Sequence, residues 1–156
     1  MKIRDWEGLA LIIGAGEIGL NLSAYLSGIS PKLEVIVCGR NLNSSNGIYL
    51  DLENDDSFKS FEEDISFLNK PIRLVINTSG FLHSNLIKPE KRLSQVNRTN
   101  MIKNLSVNAI APILIAKSIE KLINPELHFS FSSLSARVGS IGDNRLGGWY
   151  SYRASK

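Results

Sequence analysis

Two side chains near the end of this 156-residue chain could together move a proton. Tyr152 and Lys156 stand four residues apart in "WYSYRASK", so a helix would project both from one face. An ammonium beside a phenol stabilises the phenolate and lowers the pKa of the tyrosine. A phenol shifted in this way can act as a general acid or base near neutral pH. The alternative is a chance pair on a solvated helix face.

A proline inside a predicted helix points to a second polar group. Pro112 lies within the helical pattern over 98–123. It has no N–H to donate to the carbonyl of Asn108, four residues earlier, and its ring crowds that carbonyl. The pattern therefore predicts a kink at which the Asn108 carbonyl is released and could hold a water. Alternatively, Pro112 only bends the helix around a sheet.

A glycine turn stands between the first predicted strand, 8–13, and the first predicted helix. The stretch "GAGEIG" places Gly14, Gly16 and Gly19 in the pattern G-x-G-x-x-G, and this context is typical of dinucleotide binding. The first glycine permits a tight turn, the second lets backbone approach a pyrophosphate, and the third lets the helix pack close to the strand. The helix N-terminus would supply free N–H groups to the phosphates. A plain strand-to-helix turn is the alternative.

The residue after the second strand indicates which dinucleotide. An NAD site usually carries a carboxylate about 20 residues after the glycines, where it binds the ribose 2′-OH. Here Arg40 stands 21 residues after Gly19, within "CGRN". A guanidinium suits a 2′-phosphate through bidentate charged hydrogen bonds. The sequence therefore predicts NADP(H) rather than NAD, unless Arg40 is merely an exposed loop residue.

Strand-length apolar runs alternate with helical patterns along the whole chain. The predicted strands are 8–13, 33–39, 47–53, 126–135 and one within 72–80 that runs into a turn. The predicted helices are 17–27 (capped by Gly28), 58–69, 98–123 and one that begins near 149. Continuously apolar strands separated by helices are typical of a parallel sheet covered on both faces. With right-handed crossovers, this predicts a doubly wound Rossmann-type α/β domain over residues 1–156.

Composition argues against several other classes of protein. The 18 basic residues are scattered among 15 acidic ones, and the densest cluster, 88–92, is interpreted as a solvated loop, so we expect no nucleic-acid partner. Cys38 is the single cysteine, which precludes an internal disulfide or a cysteine metal cluster and fits a reducing cytoplasm. We assign no metal site. No apolar run approaches the roughly 18 residues that span a bilayer, so we expect no membrane partner.

Together these motifs resemble the short-chain dehydrogenase/reductase family along the whole chain. "GAGEIG" is similar to its glycine turn, "LDLE" at 50–53 to its third-strand motif, and "NTSG" at 77–80 to its N-N-A-G stretch. Tyr152 and Lys156 match its Y-x-x-x-K, and Asn108 matches its catalytic asparagine. "PEKRL" and "SARVGSIGDNRLGGWYSYRASK" are most similar to the C-factor-like branch of small NADP-dependent reductases.

The resemblance implies a role for each catalytic position. Tyr152 would pass a proton to or from the substrate oxygen. Lys156 would hold the nicotinamide ribose and depress the pKa of the tyrosine. Asn108 would hold a relay water through its carbonyl. A serine near the end of the fifth strand would hydrogen-bond the substrate carbonyl.

That serine departs from the family pattern. The usual catalytic serine precedes x-x-G, but Ala136 holds that position before Gly139. Ser135 is one residue away and Ser133 three. We assign Ser135 and keep Ser133 as the alternative.

The cofactor site implied by the resemblance draws on four stretches of the chain. The family's glycine turn, G-x-x-x-G-x-G, is one residue longer than the one here, so some of the family's phosphate contacts are not assigned to residues of this chain. Asp51 would contact the adenine. The predicted cofactor-binding residues are Gly14, Gly16, Glu17, Ile18, Gly19, Arg40, Asp51, Leu52, Asn77, Ser79 and Gly80.

The resulting expectation is an NADPH-dependent reductase of a small carbonyl compound, or its reverse on an alcohol. A non-catalytic NADP-binding sensor or signalling module, and an inactive fragment of a reductase, are the alternatives. The resemblance implies that the helix at 149–156 continues and that further strands and helices follow. On that basis we expect residues 1–156 alone to bind NADPH weakly, to turn over no substrate, and to be poorly soluble or to associate through an exposed sheet edge. A homo-oligomer of a full-length form is left open.

Overall fold

The computed structural model describes residues 2–42 and 46–156. Its strands are β1 Gly8–Ile13, β2 Leu33–Gly39, β3 Ile48–Tyr49, β4 Ile72–Asn77 and β5 Ser130–Ser133. Its helices are α1 Glu17–Ile29, α2 Asp55–Phe67, α3 Arg98–Leu105, α4 Ala111–Ile119 and α5 Tyr150–Ser155. A π-helical segment, Ser106–Ile110, joins α3 to α4, and short 3-10 turns lie at Ile3–Asp5, Leu93–Gln95, Glu120–Leu122 and Arg137–Gly139.

The five strands form one sheet in the order β3-β2-β1-β4-β5, and every pair is parallel. Ile13 at the end of β1 is level with Cys38 on β2 and with Asn77 on β4. The carboxyl ends of the three central strands therefore meet along one edge of the sheet, where ligands bind in open parallel sheets. The predicted Rossmann-type α/β fold, a parallel sheet with flanking helices, is confirmed.

The central strand of the sheet, β1, is apolar and buried along its whole length. All six residues of β1 are buried, which is why this strand shows a continuous apolar run rather than alternation. Among the other buried side chains, Val75 lies on β4, Phe61 on α2 and Ile115 on α4.

The chain divides into two compact units. The first comprises Met1–Ser79 and Leu114–Leu134, and the second comprises Gly80–Ile113 and Ser135–Lys156. The first unit contains the sheet, α1, α2 and most of α4. The second contains α3, the π-helical segment and α5, and α3 packs against α5 within it.

Helix α2 begins three residues before its predicted start. The side chain of Asn54 accepts a hydrogen bond from the Asp56 N–H at 3.0 Å and caps the helix. Asp55 and Asp56 lie in the first turn, where carboxylates are favoured by the helix dipole. The sequence prediction followed the buried apolar residues, which begin at Phe58, and so missed this polar first turn.

Two predicted strands are shorter in the structure because local hydrogen bonds replace sheet pairing. The prediction 47–53 contracts to β3, after which Asp51 donates its N–H to Ser57 Oγ at 2.7 Å. The prediction 126–135 contracts to β5, since Glu126 and Leu127 both bond back to Asn124 in a turn. The predicted cap at Gly28 is also wrong, because α1 continues through it to Ile29.

One helix in the described part of the chain, Arg98–Leu122, has the length and composition that could span a membrane. The expectation that no apolar run is long enough therefore does not hold for this segment. This is weak evidence for a membrane span, because core helices of soluble proteins meet the same criterion. Just under half of its apolar window, 44%, is already buried against protein.

Candidate active site

The glycine turn of the first unit is built by two close contacts. Gly14 has φ of +110°, which L side chains rarely adopt, and its N–H donates to the Cys38 carbonyl at 2.7 Å. A Cβ atom on Gly19 would lie 1.9 Å from the Gly14 carbonyl oxygen. These two glycines therefore let α1 approach the end of β1, as their spacing predicted.

Gly16 has a different environment from the other two glycines. A Cβ atom there would meet nothing within 4 Å, so no packing in the described chain requires glycine at this position. Gly16 is the N-cap of α1, and the next residues, Glu17 and Ile18, are exposed. The first turn of α1 thus presents unbonded N–H groups beside open space, an arrangement that can hold a phosphate.

Thr78 completes the turn and was missed by the sequence analysis. Its Oγ1 donates to the Ile13 carbonyl at 3.0 Å and lies 3.4 Å from the Gly14 carbonyl oxygen. The same hydroxyl would lie 2.9 Å from a Cβ atom on Gly19. Its signal was the second position of "NTSG", a hydroxyl directly after a buried strand.

Asn77 and Ser79 are joined to each other and to the end of β5. Asn77 Nδ2 donates to Ser133 Oγ at 3.0 Å, and Asn77 Oδ1 accepts from the Ser79 N–H at 3.0 Å and from the Ser79 hydroxyl. The Asn77 side chain is buried, so its amide is already fully engaged in ordering these strand ends. Ser133, the alternative catalytic serine, takes part in this network within the first unit.

Arg40 directly follows a point of close approach to the glycine turn. A Cβ atom on Gly39 would lie 3.2 Å from the Ala15 nitrogen, so the end of β2 packs against the turn. Arg40 is the next residue and is exposed. This places a guanidinium-bearing residue beside the turn, at the position where the sequence predicts recognition of a 2′-phosphate.

Asp51 and Leu52 lie in the turn after β3 and are half-buried. The Asp51 Oδ1 accepts the Glu53 N–H at 3.1 Å. One carboxylate oxygen therefore holds the local turn, and the contact with an adenine stays a prediction.

In the second unit, three predicted residues come together around Gly80. A Cβ atom on Gly80 would lie 3.3 Å from Lys156 Nζ and 3.5 Å from Asn108 Oδ1. The absence of a side chain at Gly80 leaves space where the ammonium and the asparagine amide approach the same backbone. The structure thus groups residues that stand 76 positions apart in the chain, from Gly80 to Lys156.

The interruption predicted at Pro112 is present as a π-helical turn. The Ala111 N–H bonds back to the Ser106 carbonyl, five residues earlier, and π-bulges of this kind are frequent at functional sites. Asn108 lies inside the turn and is buried. That its carbonyl binds a water stays a prediction.

The side chain of Asn108 has a role that the sequence analysis did not anticipate. Its Oδ1 accepts the Phe81 N–H at 2.7 Å, and its Nδ2 donates to the Phe81 carbonyl and to Ser155 Oγ, both at 2.8 Å. One amide therefore joins the segment after Gly80 to the helix that carries Tyr152.

The pKa of Tyr152 moves in the direction opposite to the prediction. Burial raises the pKa of the half-buried phenol above its ordinary value, because desolvation disfavours the phenolate. Burial likewise lowers the pKa of Lys156. Although the two residues share one helix, burial rather than charge sets the shifts of both groups.

Ser135 lies against the end of α5. Its Oγ donates to the Lys156 carbonyl at 3.3 Å, and the side chain is exposed. A Cβ atom on Gly139 would lie 2.7 Å from Lys156 Cβ, so the loop that follows Ser135 also packs on Lys156. Within the second unit, the assigned serine is thus a neighbour of the predicted catalytic lysine.

Two further residues beside Tyr152 were missed. Trp149 places its ring edge-on to the Tyr152 ring, with centroids 6.1 Å apart and an interplanar angle of 79°. Glu90, interpreted from sequence as part of a solvated loop, is only 3% exposed and contacts the start of α5. Glu90 showed no local signal, because it acts through contacts with residues distant in sequence.

The remaining surface of the described residues suggests no other chemistry. No group of three or more His, Cys, Asp or Glu residues could hold a metal ion within 2–42 and 46–156. A surface depression of about 510 Å³ contains none of the predicted site residues, and we assign it no role; it is lined by Lys59, Glu62, Glu63, Ser66, Phe67 and Leu122.

Comparison with known sequences gives one short match. No family model matches the chain. A 1-hydroxy-2-glutathionyl-2-methyl-3-butene dehydrogenase from Rhodococcus sp. (strain AD45) is 35% identical over 54 residues. The match spans 35% of this chain and 23% of that protein.

Solved structures resemble the chain over nearly its whole length. The carbonyl reductase Sniffer of D. melanogaster superimposes with a TM-score of 0.80 and 25% identity, covering 97% of this chain and 70% of that one. The NADPH-bound carbonyl reductase from chicken fatty liver superimposes with a TM-score of 0.79 and 21% identity, covering 95% of this chain and 65% of that one. The chain therefore shares its Rossmann-type fold with these two carbonyl reductases.

Proposed function

We propose that this protein is an NADPH-dependent oxidoreductase of the short-chain dehydrogenase/reductase family that reduces a carbonyl group. The observation that carries the proposal is the approach of Lys156 Nζ and the Asn108 amide to Gly80, within the unit whose last helix bears Tyr152. The structural likeness to carbonyl reductases supports the same activity. The C-factor-like branch is the part of the family that the motif resemblance favours.

Residues of the first unit would hold the phosphates and the adenine of the cofactor. The open N-cap at Gly16 and the exposed start of α1 suit the pyrophosphate, and Arg40 suits the 2′-phosphate of NADPH. Asp51 and Leu52 would face the adenine. Asn77 and Ser79 would act through the strand-end network that they already form.

Bound NADPH supplies the hydride in this reaction, and the chain supplies the proton. Tyr152 donates its phenolic proton to the carbonyl oxygen, so that hydride and proton together give an alcohol. Burial raises the pKa of Tyr152, so the phenol is protonated and has a proton to donate at neutral pH, but the raised pKa also makes it a weaker acid than a phenol whose pKa is near neutral. Lys156 and Asn108 would orient the site around Gly80, and Ser135 would hydrogen-bond the carbonyl.

One observation favours a second function, an NADP-binding sensor without turnover. Donation of the phenolic proton would leave Tyr152 as a phenolate, which must then recover a proton. The same raised pKa means that this phenolate is less stable. The buried, reduced Cys38 fits a cytoplasmic location for either function. The two functions differ in turnover alone.

The decisive experiment follows NADPH oxidation by the full-length protein with a panel of small aldehydes and ketones. Tyr152→Phe should lower turnover by about 100-fold or more, the usual contribution of a general acid, and leave NADPH affinity unchanged. Tyr150→Phe is the matched control, because it removes a phenol from the same helix. NADPH binding without oxidation of any panel member would favour the sensor, and equal loss in both variants would refute Tyr152 as the donor.

A further inference from the structure

Glu90 is an acidic residue where the sequence pattern places a solvated loop, yet it is buried. Its neighbours in "KPEKR" are basic or proline, but Glu90 itself is 3% exposed. Buried carboxylates are rare unless they are hydrogen-bonded. Its contacts therefore indicate what it does.

Every hydrogen bond that we find at Glu90 leads to the start of α5. Its carboxylate accepts the Ser151 N–H at 3.3 Å and also accepts the Ser151 hydroxyl. Its backbone carbonyl accepts the Trp149 N–H at 2.6 Å. The first N–H groups of a helix have no partner within the helix, and Glu90 supplies two acceptors to this region.

These contacts hold an unusual turn. Gly147, Gly148 and Trp149 all have left-handed backbone conformations, with φ of +63°, +68° and +54°. Trp149 bears a side chain, so its conformation is strained and needs support from its surroundings. A Cβ atom on Gly148 would lie 2.9 Å from the Glu90 carbonyl oxygen, so the turn packs tightly on Glu90.

This left-handed turn fixes the position of Tyr152. The Trp149 carbonyl accepts the Arg153 N–H at 2.8 Å, the first bond of the helix, and the Trp149 ring lies edge-on to the Tyr152 ring. Ser151, which Glu90 binds twice, directly precedes Tyr152. Glu90 thus contacts two of the three residues that precede the tyrosine.

We propose that Glu90 is a positioning residue, which sets the helix that carries Tyr152 and Lys156 by accepting hydrogen bonds from Trp149 and Ser151. The inference deepens the proposed reductase function and rests on it for its effect on turnover. Its effect on the geometry of α5 can be measured without turnover. Glu90 touches neither substrate nor cofactor in this scheme.

The test measures amide hydrogen exchange and steady-state kinetics on the full-length protein. Glu90→Ala removes both hydrogen bonds of the carboxylate and should speed exchange at Arg153 and Lys156 by about tenfold or more, with β1 amides unchanged. The kcat should fall by a similar factor and the KM for NADPH should rise by less, because α5 carries the proton donor Tyr152, whereas only Lys156 of the proposed cofactor contacts adjoins this helix. Glu90→Gln keeps one acceptor oxygen and should recover part of both effects. Glu126→Ala, at an exposed acid, is the control and should change neither.

The outcomes separate this inference from the proposed function. Unchanged exchange in α5, or exchange that rises equally in β1, would overturn the positioning role. A rise in KM for NADPH as large as the fall in kcat would also overturn it. If Glu90→Ala does not fold, Glu90→Gln gives the same readouts. If none of the carbonyl compounds tested supports NADPH oxidation by the wild type, the proposed function fails. The exchange measurement alone then decides the role of Glu90.

Discussion

The carbonyl oxygen of Gly14 occupies the space that a side chain on Gly19 would need, since a Cβ atom there would lie 1.9 Å from it. Gly16, between them, has no neighbour within 4 Å of its own Cβ position. Two glycines of "GAGEIG" are thus required by packing, and the third is not. This difference separates the structural role of the motif from its proposed role in binding.

Gly19→Ala should destabilise the protein by about 3 kcal/mol or more, because backbone must move to admit the methyl group. Gly16→Ala should cost about 1 kcal/mol or less, the difference between glycine and alanine as an N-cap. Denaturant unfolding of both variants measures these values. Gly16→Ala should still weaken NADPH binding if backbone at Gly16 approaches the pyrophosphate. Equal stability of the two variants would contradict the packing argument.

The parts of the fold that the sequence predicted best are those set by local pattern. β1 and β2 match their predicted bounds, because each is a mostly apolar run that ends at a glycine or just before one. The interruption before Pro112 was foreseen, since the missing N–H is a property of proline alone.

What the sequence did not reveal depends on contacts between distant residues. Glu90 looks solvated among basic neighbours, yet it is buried against α5. Thr78 orders the glycine turn from a different strand. The pKa of Tyr152 was predicted from the neighbouring ammonium alone, and its burial, which depends on tertiary structure, reverses the direction.

The choice of cofactor should depend on Arg40. Arg40→Asp should raise the Kd for NADPH by about 10- to 100-fold, the value of one or two charged hydrogen bonds, and change the Kd for NADH little. Arg4→Asp makes the same charge change at an exposed arginine in the first unit and should leave both values near those of the wild type. Fluorescence titration with each cofactor measures the effect. A wild type that binds NADH more tightly than NADPH would exclude the assignment.

The raised pKa of Tyr152 should affect the stability of the protein at alkaline pH. Ionisation of this phenol should occur above the ordinary tyrosine pKa of about 10. The folded state then binds the proton more strongly than the unfolded state, so this contribution to stability is present below pH 10 and is lost as pH rises through the folded pKa. The ultraviolet difference titration between wild type and Tyr152→Phe isolates the group, and the variant should lose less stability over the same range. A Tyr152 component that ionises below pH 10 would show that the charge of Lys156 outweighs burial.

Cys38 should report global unfolding. Its side chain is fully buried at the end of β2, and burial raises the pKa of the thiol far above its ordinary value, so the reactive thiolate is absent from the folded protein. Labelling by a thiol reagent should therefore proceed only through opening of the sheet and should accelerate with denaturant. The rate should match that of exchange for β1 amides. Rapid labelling under native conditions would mean that this edge of the sheet opens independently.

Variants of Asn108 test whether its side chain holds the junction between the Phe81 segment and α5, or whether only its backbone carbonyl has a role. Asn108→Asp keeps an acceptor for the Phe81 N–H but loses both donated bonds, and it sets a carboxylate oxygen against the Phe81 carbonyl. A buried unpaired acceptor of this kind costs about 1–3 kcal/mol, and more when it is charged. Ser155→Ala removes one partner of the same amide, and the other bonds of Asn108 remain, so it should cost less stability.

The measurement is the unfolding free energy of the two variants, from neutral pH down to the range where carboxyls protonate. Asn108→Asp should recover stability as pH falls, because the protonated acid can donate to the Phe81 carbonyl. If the two variants are equally stable at every pH, the Asn108 amide does not hold this junction, and its role would lie in the backbone carbonyl alone.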